Sequence, residues 1–305
     1  MKDRDRLLAS IARDQRGIFT LNQAIAVGLP SRAIRERVRR GVLERIHPSV
    51  FGVAGSEDGW HRQALAAVLS ATEPAAASHR TAALLWGLTD QMPEVIEIVS
   101  RRHRRVRRQP FVVHESKDLV ESDIVVVDGI PITSAVRTVV DLGASAPPRL
   151  VERCLDVGIR KKLFSAWDAR CFIARVARSG RNGVGTIRPL VEQRIEWDTV
   201  TESNMEDLLV AIVGPSPFPL PDAQHRVFEP TGEFVGRFDF AYPTRMALIE
   251  TDSERWHMDP VSFQRDREKQ NRAHALGWTV YRFTWRQLVE DPESVLDIIA
   301  AIWTD

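Results

Sequence analysis

Phe238-Asp239-Phe240 and Ile249-Glu250-Thr251-Asp252 decide how the C-terminal third of this 305-residue chain is read. One acidic residue sits inside an apolar, strand-like run, and two more, in Glu-x-Asp spacing, end a second such run. Asp239 and Glu250 are eleven positions apart, with Pro243-Thr244-Arg245 between them as a turn. A hairpin built this way brings the two carboxylates to neighbouring positions on one sheet face, and alternation of strand side chains puts Asp252 on the same face as Glu250. Carboxylates among Phe, Ile, Leu and Ala are costly unless paired or bound to a cation. Clustered hard oxygen ligands suit Mg²⁺, which can activate water for attack on a phosphodiester. Asp239 and Glu250 are therefore candidate Mg²⁺ ligands, and Asp252 reads either as a further ligand or as a base that orients water.

The segments around this hairpin complete an α/β/α unit beginning near Thr201. Ser203-Asn204-Met205-Glu206 has capping-box spacing, with Met205, Leu208, Leu209 and Ile212 on the apolar side of the helix that follows. Phe263 to Ala275 reads as a charged helix stopped at Gly277, Trp278 to Phe283 as a strand, and Trp285 to Val289 and Ser294 to Trp303 as helices. Arg265, Asp266 and Lys269 share one side of their helix; they reach the active site or a phosphate, or else pair with one another at the surface. His257 has two readings: a general base or a group that steadies the leaving group, or a side chain that hydrogen-bonds the helix start at Asp259-Pro260.

At the other end, residues 3 to 53 read as helix, helix, helix, hairpin. Leu7, Leu8 and Ile11 form one helical stripe; Leu21 to Val27 is a second helix stopped by Gly28; Pro30-Ser31 starts a third that ends at Gly41. Val42 to Ile46 and Ser49 to Val53 flank His47-Pro48 as a hairpin. This is the order of a winged helix-turn-helix. On the third helix Ala33, Ile34 and Val38 face inward, while Arg32, Arg35, Arg37, Arg39 and Arg40 project from the rest. Arginines there, with Arg45 on the hairpin, are candidate DNA-binding residues, because phosphates and guanine edges are read by Arg. A solvated basic face is the alternative.

Between these ends, Trp60 to Ala71 and Ser78 to Trp86 read as helices, Pro93 to Ser100, Phe111 to His114 and Ile124 to Val127 as strands, and Asp128-Gly129-Ile130-Pro131 as a turn before a helix capped by Ser134. Residues 148 to 195 read as helical. Residues 101 to 108 hold six arginines in eight positions, either a solvated loop or a nucleic-acid arm. Cys154 and Cys171 fall inside helices as core packing. With two cysteines and no CxxC, structural zinc and a disulfide framework are not expected. No apolar signal core or membrane-length run is present, so a cytoplasmic protein without membrane contact is expected.

The net charge of +1 divides into +9 over residues 1 to 200 and −8 over residues 201 to 305. The expected division is a winged helix over 1–60, an α+β middle domain over 61–195 and an α/β/α domain with a mixed sheet over 197–305. A basic first half points to a polyanionic partner.

Two resemblances sharpen this. Arg237 to Phe240, Ile249 to His257, Phe263 to Arg267 and Gly277 to Thr284 together resemble the very-short-patch-repair-endonuclease-like branch of the PD-(D/E)XK nuclease superfamily, over about a third of the chain. The resemblance implies Asp239 and Glu250 as metal ligands and Glu206 as the helix glutamate that supports the metal site. The superfamily's usual lysine two residues after the second acid is Asp252 here, and the glycine that follows is Ser253. Leu7 to Val53, Ser78 to Leu88 and Gly129 to Asp141 resemble AbiEi-type antitoxins, which repress their own promoter and oppose a nucleotidyltransferase toxin. That resemblance implies DNA binding and leaves a toxin partner open, since a nuclease-like segment is fused here. The expected function is a DNA-binding, Mg²⁺-dependent endonuclease in which Glu206, Asp239, Glu250, Asp252 and His257 act. The alternative is a non-enzymatic antitoxin or repressor carrying a degenerate nuclease fold.

Overall fold

The computed structural model describes residues 2–71, 74–101, 110–177, 181–195, 201–252 and 260–304. The chain falls into two compact units, Met1–Ser165 with Asn182–Leu190, and Ala166–Arg181 with Val191–Asp305.

The first unit opens with α1 (Lys2–Asp14), β1 (Ile18–Thr20), α2 (Leu21–Ala26), α3 (Ser31–Arg39), β2 (Leu43–His47) and β3 (Val50–Val53), whose strands form one antiparallel sheet in the order β1-β3-β2. It continues with α4 (Trp60–Ser70), β4 (Ala75–Ala77), α5 (His79–Leu85), β5 (Ile96–Ser100), β6 (Phe111–Glu115), β7 (Ile124–Val127), β8 (Ile130–Thr133), α6 (Ala135–Leu142) and α7 (Pro148–Arg160). A second sheet runs β6-β5-β4-β8-β7. The turn joining β7 to β8 is Asp128-Gly129 alone, with φ of 50° and 76°, the left-handed pair that a tight hairpin demands. Ile130 and Pro131, expected in that turn, belong to the strand.

Ile18 and Val50 of the small sheet share a buried cluster with Ala64, Leu65 and Val68 of α4 and with Ile98 and Ile132 of the larger sheet. The expected boundary at residue 60 therefore falls inside one continuous core. The buried stripe of α4 serves both sheets, and helical periodicity alone does not reveal how many neighbours a stripe will have.

The second unit comprises α8 (Ala166–Val176), α10 (Glu202–Val213), β9 (Asp222–Phe228), β10 (Phe234–Tyr242), β11 (Ala247–Asp252), α11 (Pro260–Ala275), β12 (Thr279–Thr284), α12 (Trp285–Glu290) and α13 (Pro292–Thr304); α9 (Val184–Glu192) lies mostly in the first unit. The four-stranded sheet is ordered β12-β11-β10-β9, antiparallel except that β11 and β12 run parallel through the α11 crossover. Met205, Leu208, Leu209 and Ile212 of α10 pack with Phe240, Ile249 and Phe283, and Trp167, Cys171 and Ala174 of α8 pack against the same cluster. That contact assigns α8 to the C-terminal unit, across the expected boundary between 195 and 197. Both cysteines are free thiols inside helices, and burial pushes Cys154 up to about 11 and Cys171 up to about 12. Among the described residues no helix is long and apolar enough to cross a membrane.

Candidate functional site

The basic face of the first unit is built on two short helices. Thr20 and Gln23 close a capping box at the start of α2: Gln23 N donates to Thr20 Oγ1 at 3.1 Å and Thr20 N donates to Gln23 Oε1 at 2.8 Å. Ile34, fully buried, anchors α3 to the core of Leu8, Phe19 and Phe51. With that face inward, Arg32, Arg35, Arg39 and Arg40 project to solvent. Arg39 pairs at 2.5 Å with Glu36 one turn away, an exposed pair of little energetic weight. Arg37 does not join them. It donates from Nη2 to Asp5 Oδ1 at 2.7 Å and from Nη1 to Ala33 O at 3.2 Å, so it ties α3 to α1. Arg45 is exposed on β2 and donates to Pro48 O at 2.8 Å, bracing the hairpin tip. The arginine-rich stretch 102–108 lies outside the described residues.

Behind the hairpin, His47 meets Phe111 edge-on with ring centroids 5.0 Å apart. Burial holds its basicity below the ordinary histidine value.

In the second unit the pairing of β10 with β11 runs Phe240 to Ile249, Ala241 to Leu248 and Tyr242 to Ala247, so Asp239 and Glu250 each lie one residue beyond its last pair. The expected simple alternation does not hold through Asp239. Phe238 packs with Ala273 of α11 and with Leu276 just beyond it, whereas Phe240, two residues on, packs with α10. The partner strand is irregular at the same level: Gln224, between residues paired with Phe238 and Phe240, has φ of 53°. Asp239 therefore sits where the strand changes face. Its Oδ2 accepts from Thr251 N at 2.8 Å and Thr251 Oγ1 at 3.1 Å.

Glu250 is buried and faces two cations. Arg282, its register partner on β12, approaches Oε2 at 2.7 Å and also pairs with Asp266 at 2.6 Å, while Lys269 of α11 donates from Nζ to Oε1. Burial lifts Glu250 above the usual carboxylate range, and Lys269 and Arg282 offset only part of that. Asp266 and Lys269 thus serve different partners and do not pair with each other. Glu206, half-buried on α10, accepts from Gln224 Nε2 at 3.1 Å through both oxygens. It reaches the residue across from Asp239. Asp252 ends β11 opposite Thr284, but its side chain lies outside the described residues, as does the whole of His257.

The carboxylate oxygens of Asp239 and Glu250 are hard donors of the kind a divalent cation takes. Among the described residues no group of three His, Cys, Asp or Glu side chains is placed to hold a metal. Gln224, Thr251 and Arg282 complete the surroundings, and their residue types alone do not mark them in the sequence. Parallel pairing across the crossover is what brings Arg282 to Glu250.

A second buried polar group lies in the first unit. Glu97 of β5 accepts from Arg80 N at 2.9 Å and contacts His114 Nε2 at 3.3 Å. His79, at φ of 50°, stacks on His114 with centroids 3.6 Å apart. Arg80 and Glu97 face a cleft of about 480 Å³ bounded by Met92, Val112 and Leu150.

Residues 6–54 match the family described as "Transcriptional regulator, AbiEi antitoxin". That match spans α2, α3 and both hairpin strands. Two uncharacterized proteins of Mycobacterium tuberculosis, from strains CDC 1551 / Oshkosh and ATCC 25618 / H37Rv, are each 26% identical to this chain over 200 residues, covering 66% of it and 70% of their own length.

Proposed function

We propose that this chain is a DNA-binding regulator that engages duplex DNA through a winged helix formed by α1 to β3. The observation that carries this reading is the row of exposed Arg32, Arg35, Arg39 and Arg40 on α3, beside Arg45 on the hairpin, in a segment that matches AbiEi antitoxin regulators. A guanidinium-rich helix suits phosphate and guanine contacts, and the charge of +9 over residues 1 to 200 draws a polyanion toward it. A cognate toxin is a partner compatible with this reading. Fluorescence anisotropy tests it, with a duplex from the chain's own promoter region against an unrelated duplex of equal length. Preferential binding to the first supports a regulator; failure to bind either duplex at low salt refutes the reading.

A second reading is favoured by the Asp239 and Glu250 carboxylates, each one residue beyond the last pair of β10 with β11. In it the C-terminal unit is a nuclease of the PD-(D/E)XK type that hydrolyses DNA phosphodiester bonds. Asp239, Glu250 and Asp252 would hold Mg²⁺, which supplies a polarised phosphate and a bound water of lowered pKa. Thr251 orients Asp239 through two donors, Gln224 fixes Glu206, and Arg282 holds Glu250 in place through its Oε2. His257 is the general base under this reading. Nicking of supercoiled plasmid in Mg²⁺ by the intact chain, absent from Asp239→Asn and Glu250→Gln, supports it; equal nicking by both variants removes these residues from the chemistry.

A further inference from the structure

We propose that Lys269 is a placeholder for a divalent cation: its ammonium occupies the cation's position on Glu250, and cation binding requires it to swing away. This rests on the second reading above, in which the C-terminal unit binds such an ion. Three independent features seat the ammonium. It donates to Glu250 Oε1. It lies 4.1 Å from the centroid of the Phe238 ring, whose face attracts a cation. Its stem runs over Gly236, where an added Cβ would stand 2.7 Å from Cγ, 2.9 Å from Cδ and 3.0 Å from Cε. Gly236 does not have a left-handed backbone, so space for this stem is what its lack of a side chain provides.

Of the two cations on Glu250, Lys269 is the exchangeable one. Arg282 is fixed by the strand register and has Asp266 as a second acid. Among the described residues Lys269 has Glu250 as its single acidic partner, and its side chain is 23% exposed. A flexible four-carbon stem carrying a point charge leaves at little cost, and a divalent ion interacts with the buried carboxylate about twice as strongly at equal distance. In the ion-free state the lysine neutralises Glu250 while holding it posed. Affinity for the ion is then reduced by the fraction of molecules in which the lysine is seated.

The test is isothermal titration of the full chain with MnCl₂ alone, with thermal unfolding of each variant as a folding control. Lys269→Met should bind Mn²⁺ roughly tenfold more tightly than the parent, as for a seat filled about nine times in ten. Lys269→Arg, which retains a cation, should not gain. Gly236→Ala should also bind more tightly although no charge changes, because its methyl crowds the stem from its seat. Glu250→Gln should lose binding. If Lys269→Met and Gly236→Ala match the parent while Glu250→Gln loses binding, the placeholder is wrong and the ion site stands. If no protein in the series binds Mn²⁺, the ion site and the placeholder fall together.

Discussion

Arg137 donates from Nη1 to Asp123 Oδ2 at 2.7 Å from a side chain with no exposed surface. The same guanidinium holds Asp118 at 2.8 Å, Asp141 at 3.2 Å and Ser116 at 2.8 Å, joining α6 to the loop before β7. Burial opposes its charge, and Asp141, Asp118 and Asp123 together outweigh that. Arg137→Met should remove a buried counter-charge from three carboxylates. The expected loss is about 3–5 kcal/mol, a fall in Tm on the order of 10 °C. A calorimetric shift under ~2 °C would show that the cluster does not stabilise the unit.

The arginines of α3 should separate into two classes. Ala at Arg32, Arg35 and Arg40 together should lower the slope of log affinity against log salt by roughly 0.9 per lost phosphate contact, at unchanged Tm. Arg37→Ala should leave that slope in place and cost up to about 1 kcal/mol, because Arg37 bridges α1 and α3 through a half-exposed Asp5. A slope unchanged in the triple variant identifies this face as merely solvated.

Placement of α8 predicts how the chain can be cut. A fragment of residues 197–305 lacks Trp167, Cys171 and Ala174, which cover the α10 cluster. It should expose that apolar surface, bind a hydrophobic dye and melt below a fragment of residues 166–305. Equal melting temperatures for the two would detach α8 from this core.

His47 makes the first unit sensitive to mild acid. Its folded pKa lies below the ordinary 6.5 because burial disfavours the cation. The unfolded chain then binds the proton more readily, so the contribution is complete above pH 6.5 and is lost as pH falls through the lower folded value. Tm should decline over that window, and His47→Phe should flatten the decline. An identical pH profile in the variant assigns the acid sensitivity elsewhere.

Local pattern alone determined much of this protein. The apolar period of Ile34 and Val38 dictates which side of α3 is buried and hence which arginines face water, and the Pro-Thr-Arg turn dictates that the strands carrying Asp239 and Glu250 pair as a hairpin. Such features depend on neighbours a few residues away, which sequence periodicity records directly. Other elements left little trace. β4 is three alanines, and β9, Asp-Ala-Gln-His-Arg-Val-Phe, is an edge strand whose polar residues hide its period. Tertiary structure decided the rest. It spent Arg37 on Asp5, turned the β10 face at Asp239, joined α4 to two sheets, and brought Lys269 and Arg282 to Glu250 from 19 and 32 residues away. The physical reason is shared: each is a contact between elements, set by crossover, register and packing, and a side chain's chemical type does not name the partner that will reach it.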